Sequence, residues 1–186
     1  LTLFAVEFPA LRVEITQREP ESALAAVWAR EFDLVIAEQY PGTFRYLQPD
    51  FDYEPLRDDP MRVAVPADSP AAALADLRDA AWVMEPLGTA AREWAVQQCR
   101  AAGFEPDVRY QTDDLSAHRL LIRRGIACGI LPSLFLGSEP AGIRLLDLPG
   151  RPERRVFTTA RKTSVNTPAL IACRRALREA FAGLDW

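Results

Sequence analysis

The sequence predicts an α/β protein of two lobes, with mixed, mainly parallel sheets flanked by helices and joined by two crossover strands. Three observations carry that expectation. Residues 11–38 alternate strand, helix, strand. The alternation restarts after residue 70 and runs on through several helix–strand pairs. Two proline-rich stretches, 56–70 and 148–156, interrupt the pattern where one lobe would pass into the other. Strands that alternate with helices pair in parallel, because a helical crossover brings the next strand back in the same direction.

"LRVEITQ" alternates and reads as a strand from Leu11 to Gln17. "PESALAAVWARE" then has helical spacing of its apolar residues, with Pro20 in the first turn, where the missing N–H costs nothing. "DLVIAE" from Asp33 is a nearly continuous apolar run, as in buried parallel strands, and "YPGT" ends it. Around Pro60 two extended stretches are expected, since Pro60, Pro66 and Pro70 keep helix out. There follow helix "AALADLRD", strand "AWVM", a helix over Thr89–Ala102, strand "DVRYQ", a helix over Asp113–Arg124 and strand "IACGILP". "IRLLDLP" and "RRVFTTARK" are further strands. The last helix opens at Thr167-Pro168, a cap residue followed by proline, and places Leu170, Cys173, Leu177 and Phe181 on one face. One lobe would hold residues 1–62 with 157–186, and the other residues 63–156. Two strands passing between the lobes would leave a cleft, and in open α/β sheets ligands sit at the carboxyl ends of strands.

Composition narrows the function classes. The 186 residues are 49% hydrophobic and 26% charged, ordinary values for a soluble domain with a core. With 22 Lys+Arg against 26 Asp+Glu the net charge is −4, so nucleic acid is a poor electrostatic partner for this chain alone. No apolar run approaches the roughly 20 residues of a membrane helix, and "LTLFAVEFPALRVE" lacks a basic leader, so we expect a cytoplasmic protein without membrane contact. Cys99, Cys128 and Cys173 are far apart, and His118 is the lone histidine, which leaves no metal-ligand set. No cofactor motif is present, no Gly-x-Ser-x-Gly elbow occurs, and His118 falls inside an amphipathic helix, so no catalytic set emerges and the chain does not read as an enzyme.

Candidate binding residues lie where strands run into helices. In "VMEPLGTAAREW" the loop Leu87-Gly88-Thr89 opens a helix whose first N–H groups lack partners and favour an anion; Thr89 also fits a plain helix cap. In "QTDDLSAHRLL", Thr112 or Asp113 caps the next helix. Glu38 and Tyr40 follow a buried strand, where a carboxylate needs solvent, a cleft or a partner. In "REPES", Glu19 and Pro20 precede a helix whose N-terminus suits carboxylates.

Taken together in order, these stretches resemble the effector-binding domain of LysR-type transcriptional regulators. "PALRVEITQREPESALAAVWAREFDLVIAEQYPG" resembles that family's strand, helix and Asp-Leu strand. "PLRDDPMRVAVPADSPAA" resembles its crossover and Val-Pro-x-x-His-Pro segment, with Ser69 in place of the His. "WVMEPLGTAAREW" through "GIACGILP" resembles the inserted lobe and its Gly-Ile-x-x-Leu-Pro signature. The resemblance implies a periplasmic-binding-protein-like fold that binds a small polar effector in the interlobe cleft, through loops matching "REPES", "EQYPG" and "PLGTA". It implies a homodimer or homotetramer, with "LTLFAVEF" packed across a two-fold interface. It also implies DNA contact only through a winged helix-turn-helix domain that this chain does not contain, and a first strand lying ahead of the chain's start. Many members carry Arg or an uncharged residue where Glu38 stands, so a carboxylate there points to an effector with a hydroxyl, amine or guanidinium group. A stand-alone solute-binding protein of the same architecture is the alternative.

Overall fold

The computed structural model of the chain describes residues 1–18, 20–43, 49–137 and 140–184. By packing, the chain divides into two compact units. The first holds Leu1–Asp58 and residues 155–184, and the second holds Asp59–Arg154. Both boundaries fall inside long strands, β2 (Phe51–Pro66) and β7 (Glu153–Arg161).

The first unit contains α1 (Thr2–Glu7), α2 (Pro20–Trp28), β1 (Val35–Gln39), the first half of β2, most of β7 and α6 (Pro168–Ala182). Its core joins Ala23 and Val27 of α2 to Val35 and Ala37 of β1, Phe51 of β2 and Phe157 of β7. Tyr53 packs on Phe157 with ring centroids 5.7 Å apart. Two arginines add donors to carbonyls near helix ends. Arg57 donates to the Phe181 and Leu184 carbonyls at 2.9 and 2.6 Å at the end of α6, and Arg161 donates to those of Val27 and Phe32 beside the end of α2.

The second unit contains the rest of β2, β3 (Ala81–Met84), α3 (Ala90–Ala101), β4 (Asp107–Gln111), α4 (Leu115–Arg123), β5 (Gly129–Pro132), the short α5 (Ser133–Leu136) and β6 (Ile143–Asp147). Its core is built from Ala64, Val83, Ile122, Ala127, Leu131, Leu136 and Ile143. β3 and β4 pair in parallel with α3 as their crossover. A parallel bridge joins Trp82 to Cys128 at the entry to β5, with Val83 N–H donating to the Cys128 carbonyl at 3.0 Å.

Several expectations from the sequence are corrected here. The sheets are not mainly parallel: β1 pairs antiparallel with β7, and β2 pairs antiparallel with both β5 and β6. Parallel pairing is confined to β3, β4 and the bridge to Cys128. Leu11–Gln17 joins no strand ladder among the described residues, so residues 11–38 are not a βαβ unit. Alternation shows that a segment is half-buried but does not name its partner, and β1 finds its partner over a hundred residues away in β7. The two extended stretches around Pro60 are one 16-residue strand. "AALADLRD" yields a single 3-10 turn, Leu74–Leu77, closed by the Asp76 carboxylate on the N–H groups of Ala72 and Ala73. Among the described residues no helix is long and apolar enough to cross a membrane.

One buried charge organises the second unit. Asp59 is fully buried on β2, in step with Met61, Val63 and Val65. One carboxylate oxygen accepts from Arg154 Nε at 2.9 Å, and the other accepts from Leu134 N–H of α5 at 2.8 Å. Removing one member of a buried pair leaves the other without compensation. Asp59→Ala should therefore lower the unfolding free energy by about 3–5 kcal/mol. Asp58→Ala, which breaks an exposed pair with Arg155, should change it little. Urea denaturation of the two variants checks the contrast.

Candidate functional site

The parallel pair β3–β4 brings two loops together at its carboxyl end. Met84 is opposite Gln111, and Thr112 N–H donates to the Met84 carbonyl at 3.2 Å. The loop after β3, Glu85–Thr89, therefore lies beside the turn after β4, Thr112–Asp114. Gly88 takes a positive φ of 88°, which L side chains rarely adopt. That conformation turns the chain from β3 into α3.

Thr89 is the cap of α3. Its hydroxyl donates to the Pro86 carbonyl at 2.9 Å and accepts from Arg92 N–H at 3.2 Å. Its backbone carbonyl accepts from Glu93 N–H. The N–H groups of Gly88, Ala90 and Ala91 have no protein partner among the described residues. Leu87 beside them is 76% exposed, an apolar lip on a polar loop. Arg92 Nη1 donates to the Glu85 carbonyl at 3.1 Å, which fixes the cation against the same loop.

Asp114, rather than Thr112 or Asp113, caps α4, with its carboxylate accepting from Ser116 N–H at 2.8 Å. Thr112 supports the turn from within: its hydroxyl accepts from Asp114 N–H at 3.1 Å. The N–H of Asp113 has no protein partner among the described residues. Two loops at neighbouring strand ends thus present free backbone donors on one face of the second unit. Such donors, with the positive end of a helix dipole behind them, suit a carboxylate or phosphate oxygen.

In the first unit, strand parity separates Glu38 from the α2-side core. Val35 and Ala37 are buried, while Ile36 and Glu38 lie on the other face, Ile36 half exposed and Glu38 partly so. Partial exposure lets the Glu38 carboxylate stay hydrated. Tyr40 is buried just beyond β1, and Thr43 turns the chain there by donating its hydroxyl hydrogen to the Tyr40 carbonyl at 2.6 Å. Pro20 is the first residue of α2, and Glu19 lies outside the described residues. The structure thus unites Leu87, Gly88, Thr89 and Thr112 in one unit and holds Glu38 and Tyr40 together in the other.

Two residues of this neighbourhood were not singled out as site residues from sequence. His118 is buried on α4, and Arg92 sits one turn into α3. His118 had a legible signal: it shares a helix face with Leu115 and Ile122, at i−3 and i+4, where a polar ring needs a partner. Burial lowers its pKa below the usual 6.5, against a backbone hydrogen bond to Thr112 and the charge of Asp114, which favour the proton.

No group of metal-ligating side chains occurs among the described residues. The cysteines are poor nucleophiles, because burial pushes the Cys99 and Cys128 thiols up to about 12. Cys173 is less buried and shifted in the same direction.

The fold is that of an α/β protein of two compact units. The whole pattern matches a described family: the model of the LysR substrate binding domain fits residues 1–182. The chain belongs to that family, which is a substrate-binding domain and not an enzyme family. The transcriptional dual regulator GltC of Bacillus subtilis (strain 168) is 30% identical over 146 residues, covering 75% of this chain and 47% of GltC. The hydrogen peroxide-inducible genes activator of Dickeya chrysanthemi is 26% identical over 137 residues, covering 71% of this chain and 43% of that protein. The chain thus spans a little under half the length of the curated relatives it matches. Among solved structures, the Synechocystis PCC6803 CcmR regulatory domain in complex with 2-PG superimposes with a TM-score of 0.79 at 21% identity, over 97% of this chain and 88% of that one. The effector binding domain of QuiR in complex with shikimate gives 0.73 at 17% identity, over 97% and 87%. The periplasmic-binding-protein-like fold expected from the resemblance follows from the family match and these superpositions.

Two outcomes test the chemistry of the site. A group whose folded pKa is depressed contributes stability that is present above its unfolded pKa and lost as pH falls. Wild-type protein should therefore lose stability relative to His118→Gln as pH drops below about 6.5, measured by thermal melts of both across pH 5–8. A thiol-reactive chromogenic disulfide should label Cys173 first in native protein, and Cys99 and Cys128 only in denaturant.

Proposed function

We propose that this chain is the effector-sensing and oligomerising part of a LysR-type transcriptional regulator, reaching DNA through a domain outside the chain and working in the cytoplasm. The observation that carries the reading is the pair of adjacent loops after β3 and β4, with unpaired N–H groups at Gly88, Ala90, Ala91 and Asp113. The effector is a small polar molecule with an acidic oxygen for the donors of Gly88, Ala90 and Ala91. Leu87 and Thr112 belong to the same contact set. Glu38 and Tyr40, with Glu19 and Pro20, form a second set, in which the Glu38 carboxylate selects a hydroxyl, amine or guanidinium group on the effector. The two lobes are taken as residues 1–62 with 157–186 and residues 63–156. An effector that takes their arrangement from 1:99 to 99:1 must prefer one state by about 5.5 kcal/mol.

A proline scan separates recognition from stability. Ala90 is the first residue of α3, where proline is tolerated. The residue before it, Thr89, already has the extended φ −80°, ψ 144° that a following proline requires. Ala90→Pro should leave the melting temperature unchanged while deleting one donor. Calorimetry with a small-acid panel that includes 2-PG and shikimate should find a binder. Its affinity should fall by roughly tenfold or more in Ala90→Pro and in Glu38→Gln, the cost of one charge-assisted hydrogen bond. Unchanged binding in Ala90→Pro would remove the α3 donors from recognition.

For assembly, α1 supplies the surface. It leans on α6 through the Glu7–Arg175 ion pair and the Arg175 guanidinium 5.0 Å from the Phe8 ring centroid. Leu1 and Val6 are left 76% and 75% exposed. A second copy of the chain covers this patch in the dimer or tetramer. Val6→Glu should shift the sedimentation of a dimer toward monomer, and an unaltered profile would move the interface elsewhere.

A further inference from the structure

The Thr112 turn has an anchor outside the donor loops. His118 is 2% exposed, and its Nε2 lies 2.8 Å from the Thr112 carbonyl oxygen. A carbonyl can only accept, so Nε2 carries the hydrogen. Nδ1 is buried and meets no hydrogen-bond partner among the described residues. Protonating it would bury an N–H without an acceptor together with a charge. The geometry thus selects the neutral ring with hydrogen on Nε2.

The consequence passes through one peptide plane. In a trans peptide the carbonyl and the following N–H point in opposite directions, and no cis peptide occurs among the described residues. A Thr112 carbonyl turned toward the buried ring turns the Asp113 N–H away from it, toward the open side of the turn. The other bonds of Thr112 do not set this plane. Its N–H continues the ladder to Met84, and its hydroxyl accepts from Asp114. The His118 ring is the group that holds the Thr112–Asp113 peptide against a flip.

We propose that His118 is a positioning residue for the effector loops: its Nε2–H holds the Thr112 carbonyl inward and so presents the Asp113 N–H to the ligand. This rests on the donor-loop reading given above. The Asp113 carboxylate is exposed on the same residue, so this donor serves an uncharged effector oxygen, a hydroxyl or carbonyl. The acidic group belongs at Gly88, Ala90 and Ala91. The effector class is therefore a hydroxy or oxo acid rather than a bare anion.

Nuclear magnetic resonance of the ligand-free chain tests the positioning. The nitrogen spectrum of His118 should show hydrogen on Nε2 and a bare Nδ1 at neutral pH. His118→Leu should lose backbone order over residues 112–114 while β3 and β4 keep theirs. His118→Gln, whose terminal N–H reaches the same carbonyl, should restore that order, which a filler of space alone would not do. A wild-type ring with hydrogen on Nδ1, or a His118→Leu protein as ordered over 112–114 as wild type, overturns the proposal. If His118→Leu does not fold, the tautomer and the His118→Gln spectrum still decide. Titration with inorganic phosphate then separates the two readings. Amide shifts at Gly88 and Ala90 are expected, and their absence overturns the donor-loop reading while leaving the His118 result intact.

Discussion

The buried carboxylate of Asp59 is the constraint on which the second unit depends. It stands at a core position of β2 and is satisfied by two groups distant in sequence, the Arg154 guanidinium at the head of β7 and the Leu134 N–H of α5. A buried carboxylate with a hydrogen bond to each oxygen tolerates few arrangements of its neighbours. It holds β2, the start of β7 and α5 in register. Met61 N–H, donating to the Pro152 carbonyl at 3.0 Å, reinforces the same point. This pairing lets Pro60 lie inside a long strand that the prolines alone would have broken.

From that register follows the placement of β5 against β2, and from β5 the parallel bridge to β3. β3 and β4 then end side by side, and their loops share one face. The free donors there result from helix starts that are only partly capped. Thr89 spends its hydroxyl on Pro86 and Arg92, and Asp114 spends its carboxylate on Ser116. The remaining N–H groups of Gly88, Ala90, Ala91 and Asp113 have no protein partner among the described residues.

The first unit solves a different problem. Its edge is rich in charge, and α6 carries Arg174, Arg175 and Arg178 against Asp52, Glu54 and Glu7. Arg174 is buried beside Asp52 and Glu54, so its charge is compensated. Arg175 and Arg178 are about half exposed, and their pairs add little stability of their own. These ion pairs tie α6 to β2 and α1 to α6, beside the buried Leu170, Ala172 and Ala176 of α6.

Much of this was legible before any coordinates. The helix at residues 90–101, the strands at 81–84 and 107–111 and the proline-led last helix follow from caps, proline positions and apolar spacing, all local properties. The Gly88-Thr89 turn was readable for the same reason, since a glycine before a cap residue is a local backbone requirement. Strand partners were not readable. Val35–Gln39 carries a buried-strand pattern, but nothing in those five residues says that they meet Arg155–Thr159 in antiparallel register. That His118 sits on an apolar helix face was readable, but its partner Thr112 was not, because that is set by where β4 ends. The burial of Asp59 was not readable, because it depends on Arg154, 95 positions on. The sequence by itself determined the elements with strong local signals, α3, β3, β4 and α6, and where the start of α3 leaves donors. Only the tertiary structure decided sheet direction and which polar groups are buried, because both depend on contacts between residues that local propensity never brings together.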